Sequence, residues 1–227
     1  MEFIEVAKAV GEVGALVMCA ALVFYAVLTG INALKKWTDL KMSNAKVPTH
    51  SETVKTRLKI TPEVKSVLNA LLLQTHASRA YVFEFHNGTT SLGGLPFIYM
   101  SNTYEVLGQT ASSQMHARQH MPFTLYDSLI THLIQQDVVT VDIRNKSDAF
   151  DAIIYETLDK RGTTVLIGTK LLDEHKRVIG FLGIDYCGHP NKLMFKDDAD
   201  AIGEIEKIVF REAQALSTLL YVKIAKE

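Results

Sequence analysis

The chain has few of the residues that build disulfide frameworks and no excess of either charge. Its 227 residues contain two cysteines, Cys19 and Cys187, which lie far apart in the sequence and offer no obvious pairing. This usage suits a reducing compartment. The 24 basic residues are balanced by 25 acidic ones, whereas a nucleic-acid-binding domain normally shows a basic excess. We therefore expect no nucleic-acid partner.

Common catalytic motifs are also missing. The sequence contains no Gly-x-Ser-x-Gly elbow, no P-loop and no His-Glu-x-x-His pair. His116 and His120 have the i, i+4 spacing that lets two imidazoles share a metal ion on a helix. However, the segment around them has no helical stripe and offers no third ligand. We expect a protein that is not an enzyme and holds no metal, and the sequence identifies no cofactor.

A long uncharged run near the start is the most informative feature that is present. Residues 13–34 comprise 22 positions without a charge, and a helix of this length spans roughly 33 Å, enough to cross a bilayer core. The length of the run and the acidic residues before it argue against a cleaved signal peptide. The sequence thus predicts an N-terminal segment, residues 1–12, and a transmembrane helix that contacts membrane lipids.

A basic segment follows the run and indicates its orientation. Residues 35–60 contain seven Lys and Arg residues against two Asp and Glu residues, and basic flanks mark the cytoplasmic side. The same charges suit anionic lipid headgroups. We interpret this segment as a juxtamembrane linker of a single-pass membrane protein. The remaining residues, 61–227, then form a soluble domain that faces the cytoplasm.

Periodicity predicts that this domain is α+β. Thr61 and Pro62 are suited to the first positions of a helix, which carries an apolar stripe from Val64 to Leu72. Alternating apolar residues and turn signals predict the elements that follow. These are strands over 79–86 and 95–101 with a continuation to 107 past a bend, a helix over 125–135, a strand over 138–142, a helix from Asp148 closed by Arg161 and Gly162, strands over 163–172 and 178–186, and a last helix over about 197–225.

The last elements resemble those of GAF domains. The strand from Gly162 to Leu171, a charged turn, a strand with Gly180 and Gly183, and the Phe195-Lys196-Asp197-Asp198 helix entry follow the GAF pattern. The two glycines suit positions where a helix or a ligand packs on the sheet. The resemblance covers residues 60–220. It implies an antiparallel sheet with flanking first and last helices, a sensory or regulatory function, and homodimerisation through those helices and the apolar helix.

Polar residues at the end of the first predicted strand form the candidate ligand site. In a GAF fold this position borders the ligand cavity, although Asn87-Gly88 is also the strongest hairpin dipeptide. The motifs of GAF domains that bind cyclic nucleotides or attach bilins are absent, so neither ligand is implied. The ligand is expected to be a small molecule or a protein partner. The residues predicted to line the site are Glu84, His86, Asn87, Gly88, Ser101, Tyr104, Glu105 and Asp185.

A second interpretation is a phage lysis protein. Single-span holins of T-even-type phages have a similar outline, with one apolar helix before a soluble domain. Small residues along residues 13–34 would support the lateral association of such helices. The soluble domain of those holins lies outside the cytoplasm, which is opposite to the orientation that the basic segment predicts. The two interpretations are therefore separated by the side of the membrane on which the domain lies.

Overall fold

A computed structural model describes residues 24–25, 27–36, 50–91, 96–109, 111–188 and 199–220. The chain divides into two compact units, Met1–Ser51 and Glu52–Glu227. In the first unit, residues 27–36 are helical, while most of the predicted membrane span lies outside the described residues. Within the described ranges, no helix combines the length and the apolar character needed to cross a membrane.

The described part of the second unit contains four α-helices and six strands. Helix α1 spans His50–Thr75 and is followed by strands β1, Arg79–Thr90, and β2, Pro96–Leu107. Strand β3, Met121–Pro122, leads through a 3-10 turn, Phe123–Tyr126, into helix α2, Asp127–Gln135. The remaining elements are β4, Val139–Asp142, α3, Ala152–Lys160, β5, Thr163–Leu172, β6, Val178–Cys187, and α4, Ala199–Leu220.

The strands form one antiparallel sheet that helices cover on both faces. The strand order is β3-β2-β1-β6-β5-β4. Because alternate side chains of a strand point to opposite faces, Ala80 and Val82 pack with α1 and α4, whereas Tyr81 and Phe83 pack with α2 and α3. We call these the α1–α4 face and the α2–α3 face. The predicted α+β class and the flanking first and last helices are confirmed.

Helix α1 begins at His50 and not at Thr61 as predicted. Pro62 lies inside the helix, where it lacks the N–H that would bond to the carbonyl four residues earlier. The Thr61 hydroxyl donates to the carbonyl oxygen of Arg57 at 2.7 Å. Arg57 itself binds Glu84 of β1 through two nitrogens, each 2.7 Å from a carboxylate oxygen. This contact holds the first turns of the helix on the sheet. The helix therefore continues through Thr61 and Pro62, although these residues are typical of a helix start.

Two other boundaries differ from the sequence prediction. Strand β1 continues through Asn87 to Thr90, so the dipeptide predicted to break it lies within the strand. Helix α3 has Asp151 and not Asp148 at its N-cap. The predicted bend in β2 is present, as a register irregularity opposite Val82 and Phe83. Gly162 closes α3 with a φ of +65°, as predicted, and the ends of the predicted last helix lie outside the described residues.

Candidate ligand site

A buried charged cluster occupies the α2–α3 face where β1 begins and β6 ends. Arg79 and Asp185 are directly opposite in the β1–β6 register, and both side chains are buried. Nε and Nη2 of Arg79 lie 3.1 and 2.9 Å from Oδ2 of Asp185. The hydroxyls of Thr163 and Tyr81 donate to the same carboxylate at 3.0 and 2.9 Å. The carboxylate therefore has several donors and one close cationic partner.

The ring of Tyr81 lies close to strand β6 at Gly183 and fixes one side of this cluster. A Cβ atom at Gly183 would come within 2.5 Å of the Tyr81 ring, so this position accommodates only glycine. Burial, followed by the nearby charge of Asp185, raises the pKa of Tyr81 well above its ordinary value. The hydroxyl therefore stays protonated and donates to the carboxylate. The two strand glycines make room for strand β1, since a Cβ at Gly180 would overlap the carbonyl oxygen of Phe83.

Arg118 enters the cluster from the loop between β2 and β3. Its Cζ lies 5.1 Å from the ring centroid of Tyr81 and 5.7 Å from that of Phe83. The side chain is only 3% exposed, and its Nη2 is 3.9 Å from Oδ2 of Asp185, which is too long for a hydrogen bond. None of its three guanidinium nitrogens has a hydrogen-bond partner within the described part of the chain. Such buried donors are rare, and each costs roughly 1–3 kcal/mol.

The cluster carries one positive charge more than it balances. Arg79 and Arg118 are both charged at any physiological pH, whereas Asp185 supplies one negative charge and Tyr81 is neutral. A buried charge without a partner is strongly unfavourable because little water solvates it. The arrangement is therefore suited to receive an anionic group at Arg118.

Glu105 anchors the loop that carries Arg118. Its carboxylate accepts hydrogen bonds from the Ser113 hydroxyl at 2.5 Å and from the backbone N–H groups of Gln114 and Met115 at 3.0 and 3.2 Å. The backbone N–H of Asn102 donates to the carbonyl oxygen of Arg118 at 2.8 Å. Glu105, which the sequence predicted to line the site, thus contacts the loop and positions Arg118 through it.

The other predicted site residues lie in separate places. Glu84 and Tyr104 both bind Arg57 of α1, with the Tyr104 hydroxyl 3.2 Å from Nη1. His86 contacts Ser101, with 2.9 Å between Nε2 and Oγ. Asn87 and Gly88 are exposed in the extension of β1.

Asp185 alone of the predicted residues belongs to the buried cluster, and ligand binding by the others stays a prediction. Four residues of the cluster were not predicted from the sequence: Arg79, Tyr81, Thr163 and Arg118. A basic residue at the start of an apolar strand was the available signal for Arg79. Arg118 lies in a loop without periodicity, so no local signal pointed to its burial.

The two histidines with metal-ligand spacing lie in a loop and not on a helix. His120 has a φ of +52°, its backbone N–H donates to the Ser101 hydroxyl at 2.9 Å, and its ring is 5.1 Å from that of His86. Among the side chains that the structure describes, no group of three or more His, Cys, Asp or Glu residues could hold a metal ion.

Comparison with known proteins bears on the fold. No protein-family model matches the chain, and no curated protein matches it in sequence. A far-red cyanobacteriochrome photoreceptor is 14% identical, with a TM-score of 0.50 over 84% of this chain and 98% of that one. The chromophore-binding domain of the Stigmatella aurantiaca bacteriophytochrome is 14% identical, with a TM-score of 0.50 over 78% of this chain and 62% of that one. A Synechocystis GAF domain is 11% identical, with a TM-score of 0.49 over 71% and 95%.

The fold is GAF-like. At these identities the likeness concerns the fold alone, so the chromophores of those photoreceptors are not transferred to this chain. The structural similarity confirms the GAF-like fold that was predicted from the sequence of the last two strands and the last helix. The GAF-like arrangement also provides the frame in which Arg118 is buried against Tyr81 and Phe83 of the central strand β1.

Proposed function

We propose that this chain is a sensory or regulatory module whose GAF-like domain binds a small molecule on the α2–α3 face. The observation that carries the proposal is Arg118, a buried cation whose donors lack acceptors within the described residues. Such a side chain lowers the stability of the ligand-free domain, and it is expected where a ligand completes the site. Photoreceptor domains are among the structures of similar fold, which supports sensing as the class of function.

The proposed module does not catalyse a reaction. Burial raises the pKa of the Tyr81 hydroxyl well above its ordinary value, which disfavours the ionised form that a nucleophile would need. The guanidinium groups of Arg79 and Arg118 are hydrogen-bond donors without an acceptor atom. These groups are suited to hold a ligand and not to transform it.

Membrane anchoring and self-association belong to the same proposal. The uncharged residues 13–34 and the basic residues 35–60 support an anchored protein with a cytoplasmic domain. On α1, Val54, Leu58 and Leu73 are exposed, which supports contact with the α1 helix of a second copy. Anchoring in one membrane would raise the local concentration of the copies and so favour this contact.

The proposal is tested by the compounds that copurify with the full chain. The wild-type protein, Arg118→Met and Arg144→Met are purified in mild detergent, and released small molecules are identified by mass spectrometry. Arg144 is an exposed arginine paired with Asp142, so it controls for loss of one positive charge. We expect a compound that wild type and Arg144→Met retain and that Arg118→Met loses. A folded wild-type protein with no stoichiometric compound would contradict the proposal.

A further inference from the structure

We infer that the ligand is a carboxylate, that its anionic group binds Arg118, and that its apolar body packs near Tyr81 and Phe83. This inference rests on the proposed function, because it names the chemical class that the same site would take. Three features of the cluster support it: its charge balance, the state of the guanidinium donors, and the contrast between its two arginines.

The charge balance favours a monoanion. One negative charge, added to Asp185, would neutralise Arg79 and Arg118. A phosphate monoester carries about −1.5 to −2 at neutral pH and would leave the buried cluster with a net negative charge. A neutral ligand would leave the excess positive charge of Arg118 uncompensated. A single carboxylate meets the requirement without either penalty.

The donors of Arg118 favour a planar anion with two oxygens. The guanidinium is a rigid fork that binds a carboxylate through two parallel N–H bonds. All three nitrogens of Arg118 are buried without hydrogen bonds to described residues. Its contacts with the rings of Tyr81 and Phe83 are cation–π contacts, which do not occupy the N–H donors. Both rings are buried, so the surroundings of the anion-binding group are apolar.

Arg79 shows that this cluster can satisfy a guanidinium by itself. In addition to its bonds with Asp185, Nη2 donates to the Thr163 hydroxyl at 2.6 Å and to the carbonyl oxygen of Arg161 at 3.3 Å. Nη1 donates to the carbonyl oxygen of Ser112 at 3.3 Å. Two equally buried arginines therefore lie side by side, one with acceptors for all of its nitrogens and the other with none. Arg79 is a structural residue, and it serves as the matched control for Arg118.

The two roles predict opposite effects of removing the charge. Arg118→Met retains much of the apolar stem and removes an unsatisfied buried cation, so the ligand-free protein should become more stable. Arg79→Met leaves Asp185 without its close partner, so the protein should become less stable. With a change of about 2–4 °C in melting temperature per kcal/mol for a domain of this size, we expect Arg118→Met to melt several degrees above the ligand-free wild type.

Benzoate is a suitable probe, since it combines a carboxylate with an aromatic ring. Benzamide has the same shape without the charge, and sodium chloride at equal ionic strength controls for screening. The full chain, freed of copurified compounds, is melted with each additive at millimolar concentrations. We expect benzoate alone to raise the melting temperature of the wild type, with no effect on Arg118→Met. Arg118→Lys keeps the charge but loses the fork, and it should bind benzoate at least tenfold more weakly.

Each other outcome overturns the inference. Equal stabilisation by benzamide would show that charge is not recognised, and equal stabilisation by chloride would show that a carboxylate is not required. Destabilisation of Arg118→Met to the same degree as Arg79→Met would make Arg118 a structural residue. If benzoate has no effect while a neutral copurified compound is lost from Arg118→Met, the carboxylate is wrong and the proposed function stands. If no compound is found and benzoate has no effect, both fail.

Discussion

Replacing Gly183 by alanine tests whether the Tyr81 ring lies against β6 as the structure has it. The added Cβ would come within 2.5 Å of Cε2 of Tyr81 and within 2.8 Å of its hydroxyl oxygen. The ring is fully buried and makes edge contacts with Phe83 and Phe181, with centroids 5.6 and 6.4 Å away, so its movement would disturb both. Its movement would also break the 2.9 Å hydrogen bond to Asp185.

These two effects give the expected magnitude. Overpacking of a core costs about 1–3 kcal/mol, and loss of a buried hydrogen bond to a charged group costs about 1.5–3 kcal/mol. The free energy of unfolding should therefore fall by roughly 3–5 kcal/mol, which is a large part of the stability of a typical domain. Urea and thermal unfolding of the full chain measure this change.

Gly203→Ala is the matched control. Gly203 lies in α4, and a Cβ there would meet no atom within 4 Å. Alanine in a helix interior is more favourable than glycine by about 0.5–1 kcal/mol, so this variant should be slightly more stable than wild type. If Gly183→Ala unfolds at the same urea concentration and temperature as the wild type, the Tyr81 ring does not contact β6. The geometry of the buried cluster would then be wrong.

The remaining predictions concern the core, the anchor and the pH dependence. Leu68→Asp or Ile184→Asp should unfold the domain, because each places a carboxylate at a fully buried position; near-native melting would contradict the core assignment. Deletion of residues 1–36 should release a folded, soluble fragment from membranes, and aggregation of this fragment would refute the anchor. A reporter fused after Glu227 should be active only in the cytoplasm, and an exported reporter would refute the predicted orientation. Burial raises the pKa of Tyr186 to about 12, whereas the unfolded side chain ionises at about pH 10. The stability that this difference contributes is complete below about pH 10 and is lost as the pH rises to about 12. Tyr186→Phe should reduce this loss of stability in alkaline unfolding curves, and an unchanged profile would contradict the prediction.

Local patterns in the sequence were sufficient to predict the strand and helix order, except for the two-residue strand β3. The β5–β6 hairpin was predicted within one residue of its observed bounds, because both strands are apolar runs joined by a polar turn. The glycine that closes α3 was also predicted, since its φ of +65° is a backbone conformation that glycine adopts without strain. These features depend on neighbours in the sequence, and their signals are therefore visible in it.

The buried cluster was decided by the tertiary structure. Arg79 and Asp185 are 106 residues apart in the chain, and only the pairing of β1 with β6 brings them together. Arg118 is buried because Glu105 and Asn102 hold its loop against the sheet, and Arg57 overrides the helix-start signal at Thr61 by binding β1. A polar side chain can be buried only where it finds hydrogen-bond partners, and these partners are often distant in sequence. The burial of an apolar stripe, in contrast, can be predicted from local periodicity alone. The sequence by itself therefore determined which segments form strands and helices, and tertiary contacts determined which charges lie inside.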